Sequence, residues 1–136
     1  MMRIWGALIA LVLCGCSTLG GPQVCLLPSQ KPMIEVQLFF GRDIEGRAIV
    51  SDAEWADFAA TTVAKDFPNG FTVSDGVGQW RDPSGAVVHE PSKIVLVAAD
   101  RADTLAPKLN DVIESYRARF HQQAVGVVTR PVCAAF

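Results

Sequence analysis

The chain has 136 residues, with 12 Lys plus Arg and 14 Asp plus Glu, which gives a formal net charge of −2. This length is that of one ordinary globular domain and excludes a multi-domain enzyme. The charge leaves no basic stripe that could neutralise a phosphate backbone, so we expect no binding to nucleic acid. Half of the residues are hydrophobic, which is enough to form a core without a metal or a dense disulfide frame.

The N-terminus predicts export. A short positive segment, Met1 to Arg3, precedes an apolar run of ten residues, Ile4 to Leu13. Ten helical residues rise about 15 Å, which is half of the hydrocarbon thickness of a bilayer. Residues 1–15 are therefore typical of a signal peptide and not of a membrane span.

A cysteine motif follows the apolar run. Leu13-Cys14-Gly15-Cys16 resembles the bacterial lipobox, whose cysteine is lipidated and becomes the new N-terminus. Cys16 matches that cysteine because the small residue Gly15 precedes it, whereas bulky Leu13 precedes Cys14. A cleaved signal peptide with two accidental cysteines is the alternative. Ser17, in place of Asp, indicates the outer membrane by analogy with known lipoproteins. We expect a periplasm-facing domain on a tether, residues 16–32, that is rich in Gly, Pro and Ser.

Cys25 and Cys133 are the cysteines that remain for the folded domain. In an oxidising compartment they predict one disulfide between the two ends of the domain. Two free thiols or a zinc site are the alternatives. Zinc needs three or four ligands, and neither His89 nor His121 lies at metal spacing from a cysteine. We therefore expect no metal and no cofactor.

Residues 33–136 predict six elements in chain order. The hydrophobic pattern, turn residues and caps indicate strand Met33 to Gly41, a helix capped by Ser51 and Glu54, strand Phe71 to Arg81, strand Ala86 to Ala99 interrupted at Pro91, a helix from about Pro107 to Gln122, and strand Val125 to Thr129. This order predicts an α+β two-layer sandwich, the ferredoxin-like βαββαβ pattern, with an antiparallel sheet and both helices on one face. Another two-layer sheet order is the alternative. Trp55 and Phe58 are predicted core residues, and His121 a surface residue.

Several segments carry a family resemblance. They are Leu38-Phe39-Phe40-Gly41-Arg42, Val50-Ser51-Asp52-Ala53-Glu54-Trp55, Phe67-Pro68-Asn69-Gly70-Phe71-Thr72-Val73, Gly78-Gln79-Trp80-Arg81 and Glu90-Pro91-Ser92-Lys93. In this arrangement the chain resembles an uncharacterised family of small exported bacterial proteins, many of them lipoproteins, described only as a domain of unknown function. The resemblance implies a single exported domain and supplies no activity.

Polar side chains on the predicted strands are weak candidates for ligand binding. They are Arg42, Gln79, Trp80, Arg81, Glu90 and Lys93. Guanidinium groups offer forked donors to a carboxylate or phosphate, and Glu90 or His89 could move a proton. We expect Arg42 and Arg81 to lie within reach of each other or of a shared acidic partner, next to Trp80. The alternative is that the charged residues are solvated or form ion pairs that fix the hairpin.

The open face of the sheet is a further candidate surface. Phe39, Val95 and Val97 are predicted to lie opposite the helix-facing residues, in an apolar patch bordered by Glu35, Gln37 and Lys93. Such a patch favours a homodimer or an envelope protein partner.

The sequence contains neither a P-loop nor a Gly-x-Ser-x-Gly elbow, and we predict no catalytic residue. The best prediction is a non-catalytic binding or interaction domain. A binder of a small anionic ligand near Arg42, Trp80, Arg81 and Glu90, or a small enzyme acting through Glu90, His89 or Asp75, is the alternative.

Overall fold

The computed structural model describes residues 24–44 and 49–136. The predicted signal peptide, Cys16 and most of the predicted tether lie outside these ranges. The described strands are β1 (Lys31–Gly41), β2 (Thr72–Arg81), β3 (Val87–Ala99) and β4 (Gly126–Ala134). The helical elements are α1 (Asp52–Phe58), a π-helical turn (Ala59–Val63), α2 (Ala64–Asp66) and α3 (Leu105–Phe120).

The four strands form one antiparallel sheet in the order β2-β3-β1-β4. The chain order of strands and helices is that of the predicted βαββαβ pattern, so the ferredoxin-like α+β fold is confirmed. β1 lies inside the sheet, and its alternating residues Val36, Leu38 and Phe40 are fully buried. Their period of two turns one face of the strand towards the helices.

An aromatic cluster forms the centre of the core between sheet and helices. The ring centroids of neighbouring members lie 4.7 to 6.0 Å apart, in the tilted and edge-to-face arrangements that aromatic pairs prefer. Its members are Phe40, Trp55, Phe58, Tyr116 and Phe120. The predicted core positions of Trp55 and Phe58 are thereby confirmed.

The first helical segment begins as the sequence predicts. The Ser51 side chain accepts a hydrogen bond from the Glu54 backbone N–H, and the Glu54 carboxylate accepts one from the Ser51 N–H. This reciprocal capping box satisfies two donors that a helix start leaves unpaired. α3 begins at Leu105, two residues before the predicted start. His121 ends it in the left-handed conformation, with φ of 52°, and its side chain is exposed as predicted.

Two prolines lie inside strands, where interruptions were expected. β3 continues through Pro91, whose carbonyl accepts the Arg42 backbone N–H at the place where β1 ends, so the absent proline N–H leaves no strand partner unpaired. β4 continues through Pro131 to Ala134 and is longer than predicted. β4 is an edge strand, where a proline is tolerated.

A disulfide joins Cys25 to Cys133, with their α-carbons 5.5 Å apart, as the sequence predicts. The Gln30 side-chain amide also donates a hydrogen bond to the Cys133 carbonyl. Lys31 and Pro32, predicted as tether, instead pair with Ala134 and Cys133. The bridge thus places the start of β1 beside the end of β4.

Candidate functional site

The sheet register corrects the predicted apolar patch. Phe40 is opposite Lys93 and Leu38 is opposite Val95, so Val95, Val97 and Lys93 share the helix-facing side of the sheet. Val95 and Val97 are buried in the core, and their predicted place on the open face is wrong. The register instead places four other apolar residues on the open face: Phe39, Ile94, Leu96 and Val128.

Two buried cations lie on the helix-facing side. Arg42 and Lys93 are only 7% and 9% exposed. Arg42 donates through Nε to the Val50 carbonyl at 2.7 Å, and its Nη2 lies 3.0 Å from Oδ1 of Asp52. The Lys93 Nζ lies 3.2 Å from the same Asp52 oxygen and also pairs with Asp75.

These ion pairs fix the charge states of the cluster. Hydrogen bonding to Asp75 raises the pKa of Lys93, and the hydrogen bond and charge of Lys93 lower the pKa of Asp52. Both cations therefore already have carboxylate partners. The cluster connects the first residue of α1 to β2 and β3, and its geometry is that of a structural contact. Because both cations are buried and already paired with carboxylates, the cluster is a poor site for a further anion.

Arg81 lies apart from Arg42. Its Nη1 donates to the Gly85 carbonyl at 2.6 Å within the turn that joins β2 to β3, and the side chain is exposed. Within residues 24–44 and 49–136, the contacts of Arg42 and Arg81 include no shared acidic partner. Gln79 is also exposed and is opposite exposed His89 on the hairpin. The expected grouping of the two arginines is therefore not observed.

Glu90 and Trp80 lie on the open face, at the end of the sheet near the hairpin. A Cβ added to Gly41 would lie 2.5 Å from Oε1 of Glu90, so the carboxyl rests directly against the Gly41 backbone. Only glycine leaves this space. Gly78 is opposite Glu90 in the register and adds no side chain of its own. Gly41 and Gly78, on the two neighbouring strands, place no side chain beside the carboxyl, and the region around it is called the Glu90 depression below.

The surroundings of Glu90 favour its neutral form. Burial raises the pKa of Glu90, and the charge of Asp43 raises it further. Hydrogen bonds from the Asp43 backbone N–H and the Trp80 indole N–H offset part of this increase in pKa. Among residues 24–44 and 49–136, no Lys or Arg forms an ion pair with Glu90. The carboxyl can therefore accept a donor or a positive charge, or exchange a proton.

Gly41 and Asp43 are the site residues that sequence reasoning missed. The sequence does contain one signal for the depression. Gly76 and Gly78 are two residues apart on one strand, so both lie on the same face of the sheet.

A second concave region lies at the opposite end of the sheet. It is an open cavity of about 1020 Å³ whose lining includes Phe67, Leu96, Leu105 and Phe136. Asp66 also lines it, and burial together with Asp111 raises the pKa of that carboxyl. Leu96 is six residues from Glu90 on β3, or about 20 Å. The cavity is therefore separate from the Glu90 depression.

The described residues contain neither a metal-binding cluster nor a helix that could span a membrane. Residues 24–44 and 49–136 include no group of three or more His, Cys, Asp or Glu side chains placed to hold a metal ion. No helix in this part of the chain has the length and hydropathy needed to cross a membrane.

The family model described as "Protein of unknown function (DUF3574)" matches residues 35–136, three quarters of the chain. The chain belongs to this family. The match spans β1 to β4 and includes every residue of the Glu90 depression. No curated protein matches the DUF3574 chain.

Solved structures similar to the DUF3574 domain support its fold. A phage SAM lyase in complex with S-methyl-5′-thioadenosine is 14% identical, with a TM-score of 0.59, and the match covers 76% of this chain and 90% of that one. CutA from Synechococcus elongatus PCC7942 is 9% identical, with a TM-score of 0.52, and the match covers 78% of this chain and 83% of that one. At these identities the similarity shows the fold alone.

Proposed function

We propose that the protein is an exported, lipid-anchored binding domain whose ligand site is the depression around Glu90 and Trp80. The observation that carries the proposal is the Glu90 carboxyl. It is half-buried against Gly41 and has no basic partner among the described residues. Asp43 and Trp80 donate hydrogen bonds to this carboxyl but bring no positive charge, and a half-buried carboxyl with a raised pKa is typical of functional sites. A ligand that donates hydrogen bonds to it would supply the missing partner.

The surroundings of the carboxyl indicate the chemistry of the ligand. Trp80 is 40% exposed, so its indole offers a flat apolar surface beside an acceptor. A carboxyl next to an aromatic ring suits a planar group with N–H donors or a cationic group. The arginine pair expected for an anionic ligand is not assembled here. The ligand proposed from the structure therefore differs in charge from the anionic ligand that was the alternative in the sequence analysis.

Export and anchoring rest on the N-terminal sequence and the disulfide. The Cys25–Cys133 bridge is stable in an oxidising compartment, such as the bacterial periplasm. From Lys31 to Gly41, β1 spans about 33 Å at 3.3 Å per residue. A tether that ends at Cys25 therefore leaves the Glu90 depression on the side of the domain away from the membrane.

Lipidation is tested by substituting each cysteine of the motif. We expect Cys16→Ala to release the protein from the membrane fraction, because the acyl anchor is attached there. The matched control, Cys14→Ala, should stay with the membrane. Cell fractionation and intact mass of the processed chain give the readout. If the Cys16→Ala protein fractionates with membranes and has the mass of the wild-type processed form, lipidation at Cys16 is wrong.

Ligand binding is tested by thermal unfolding and tryptophan emission. The probes are S-methyl-5′-thioadenosine, which accompanies one similar structure, and the small-molecule fraction of an envelope extract. We expect a probe to raise the melting temperature of the wild-type protein and to change the emission of Trp80. Glu90→Gln should lose the thermal shift, and Trp80→Phe should lose the emission change.

Glu35→Gln is the matched control for ligand binding. Glu35 lies on the same open face but is paired with Arg130, 2.7 Å away, so its loss should leave ligand binding intact. Equal thermal shifts for wild type and Glu90→Gln would contradict the proposed site. Absence of any shift with both the nucleoside and the whole extract would contradict the binding function.

A small enzyme is the second candidate, and the raised pKa of Glu90 favours it. A carboxyl that keeps its proton above its usual range can act as a general acid. Asp75, in contrast, is engaged by Lys93. If the protein converts a probe, the wild-type rate should fall as pH rises through the pKa of Glu90. Loss of this fall in Glu90→Gln would identify Glu90 as the acid.

A further inference from the structure

β2 is a long, regular edge strand whose charged residues, Asp75 and Arg81, have opposite signs. It has ten residues, pairs in continuous register with β3, and contains neither proline nor lysine. Edge strands normally carry such residues or a bulge to prevent association. The other edge strand, β4, contains Pro131. Val77 on β2 is 82% exposed, although it is a β-branched apolar residue of a strand.

The outer half of β2 is also unsupported within one copy. β1 ends at Gly41, which is opposite Ser92, and Ser92 is opposite Gly76. Among the described residues, the strand residues beyond this point, Val77–Arg81 and Val87–Pro91, therefore pair as strands only with each other, with added hydrogen bonds from Arg42 to Pro91 and from Asp43 to Glu90. A two-stranded ribbon is marginally stable in water, whereas three or more strands form an independent sheet.

We propose that two copies of this chain associate through their β2 edges, antiparallel and centred on Gly78. The two four-stranded sheets would then form one eight-stranded sheet, and the two ribbons would form a four-stranded unit. A two-fold axis at Gly78 pairs residues whose numbers are equally far from 78. Asp75 is then opposite Arg81 of the partner subunit, and the same pair occurs twice by symmetry.

Charge and size both select this register. Asp75 and Arg81 lie on the same face of β2, and the Asp75 side chain is 75% exposed, so one carboxylate oxygen remains for a second cation beside Lys93. On the open face, Trp80 is opposite Gly76 of the partner subunit, where the missing side chain leaves room for the indole. A shift by two residues would place Arg81 opposite Val73 of the partner subunit and lose both ion pairs. A shift by one residue would exchange the two faces.

A cysteine at the symmetry axis tests the association directly. In Gly78→Cys the two thiols would be directly opposite, at a distance that a disulfide can span. The position tolerates a side chain, because the nearest atom to an added Cβ is 3.8 Å away. In cells that make the full chain, we expect a covalent dimer of twice the monomer mass in non-reducing electrophoresis. Reductant should convert it to monomer.

Thr72→Cys is the matched control. Thr72 is also exposed on β2, but in this register its two copies would lie about 40 Å apart, twelve residues along the strands. It should yield little dimer. Within the Gly78→Cys background, Val77→Lys and Arg81→Glu should each reduce the dimer yield, whereas Val77→Thr and Arg81→Lys should retain it. Glu90→Gln should leave the yield unchanged, because the Glu90 carboxyl is not part of the strand pairing.

Two results would overturn the proposal. One is a dimer yield for Gly78→Cys no greater than that for Thr72→Cys, with the native disulfide intact in both. The other is a monomer mass for the wild-type full chain in detergent, measured by light scattering at concentrations where the cysteine variant crosslinks. The second measurement needs no substitution and so does not depend on the folding of any variant.

Discussion

Gly41 controls the position of the Glu90 carboxyl, because any larger residue would occupy the same space. We expect Gly41→Ala to displace the carboxyl towards water, since the atom in the way is the end of a flexible side chain. The loss of stability should be small. The pKa of Glu90 should fall towards its ordinary value as burial decreases. A carbon-detected NMR titration of the glutamate carboxyls measures this change.

Gly78→Ala is the control for this substitution. It adds the same methyl group on the neighbouring strand at ordinary contact distance from Glu90. In Gly78→Ala, the pKa of Glu90 should be the same as in the wild-type protein. Equal titration of Glu90 in wild type and Gly41→Ala would show that Gly41 does not set the environment of the carboxyl.

Glu90 should also make stability depend on pH. Its folded-state pKa is raised above the unfolded value, so its contribution to stability is present at low pH and is lost as pH rises through the folded-state pKa. Glu90→Gln stays neutral at every pH. The variant should therefore gain stability relative to wild type as pH rises above about 4, the ordinary range of a glutamate. Urea unfolding at a series of pH values gives the comparison.

Asp52→Asn should show the opposite dependence. Lys93 and Arg42 lower the pKa of Asp52, so its contribution is present at neutral pH and is lost as pH falls through the folded-state pKa. The variant should differ most from wild type at neutral pH. A parallel pH dependence in the two variants would contradict the assigned environments.

The sequence showed which polar residues stand in unusual places, but it did not show which residues they pair with. Arg42 and Lys93 were recognisable as charged residues in unusual places, whereas their shared partner Asp52 stands out in the sequence only as part of a helix start. Contacts of this kind depend on how a helix end lies over the sheet. The predicted proximity of Arg42 to Arg81 failed because β3 lies between β2, which ends at Arg81, and β1, which ends just before Arg42.

At the scale of elements, the capping box of α1 should be the most sensitive local feature. Ser51→Ala removes the side-chain acceptor for the Glu54 N–H and should cost about 1 kcal/mol in the free energy of unfolding. Ser51→Thr keeps a hydroxyl and should cost less. Chemical unfolding measures both variants. An alanine variant as stable as wild type would show that α1 is held by Trp55 and Phe58 packing alone.

Element order was predictable because the hydrophobic period changes between strands and helices along this chain. The sequence pattern did not show which residues of each strand point towards the helices. Phe39 was correctly placed opposite the helix-facing residues, but Val95 and Val97 were not, because residue spacing within β3 does not reveal its register with β1. The register pairs Phe39 with Ile94, which exchanges the predicted faces of β3.

At the scale of the whole molecule, the disulfide closes a loop with a sequence separation of 108 residues. The chain-entropy model gives about 4 to 5 kcal/mol for a loop of this length, which is an upper figure. We expect the double substitution Cys25→Ser and Cys133→Ser to lower the free energy of unfolding by up to this amount. Urea unfolding of the variant, beside the wild-type protein with and without reductant, measures the loss. An unchanged unfolding midpoint would contradict it.

The bridge also explains why the strands at the two ends are longer than predicted. Lys31, Pro32 and the last residues of β4 lack the alternating pattern of a strand, yet they pair beside the linked cysteines. A covalent contact between the ends of the chain brings these segments together regardless of their own propensity. Sequence patterns that describe one segment at a time do not include that constraint.

The same bridge makes residues 25–133 a covalently closed ring. From Cys25 through the sheet and helices to Cys133, the covalent path returns to its start, and the predicted membrane tether leaves from the point of closure. The exposed turn around Ser84 lies far from that point along the chain. A protease that cuts the turn would open the ring without releasing either half, so the two halves of a nicked domain would stay joined until the disulfide was reduced.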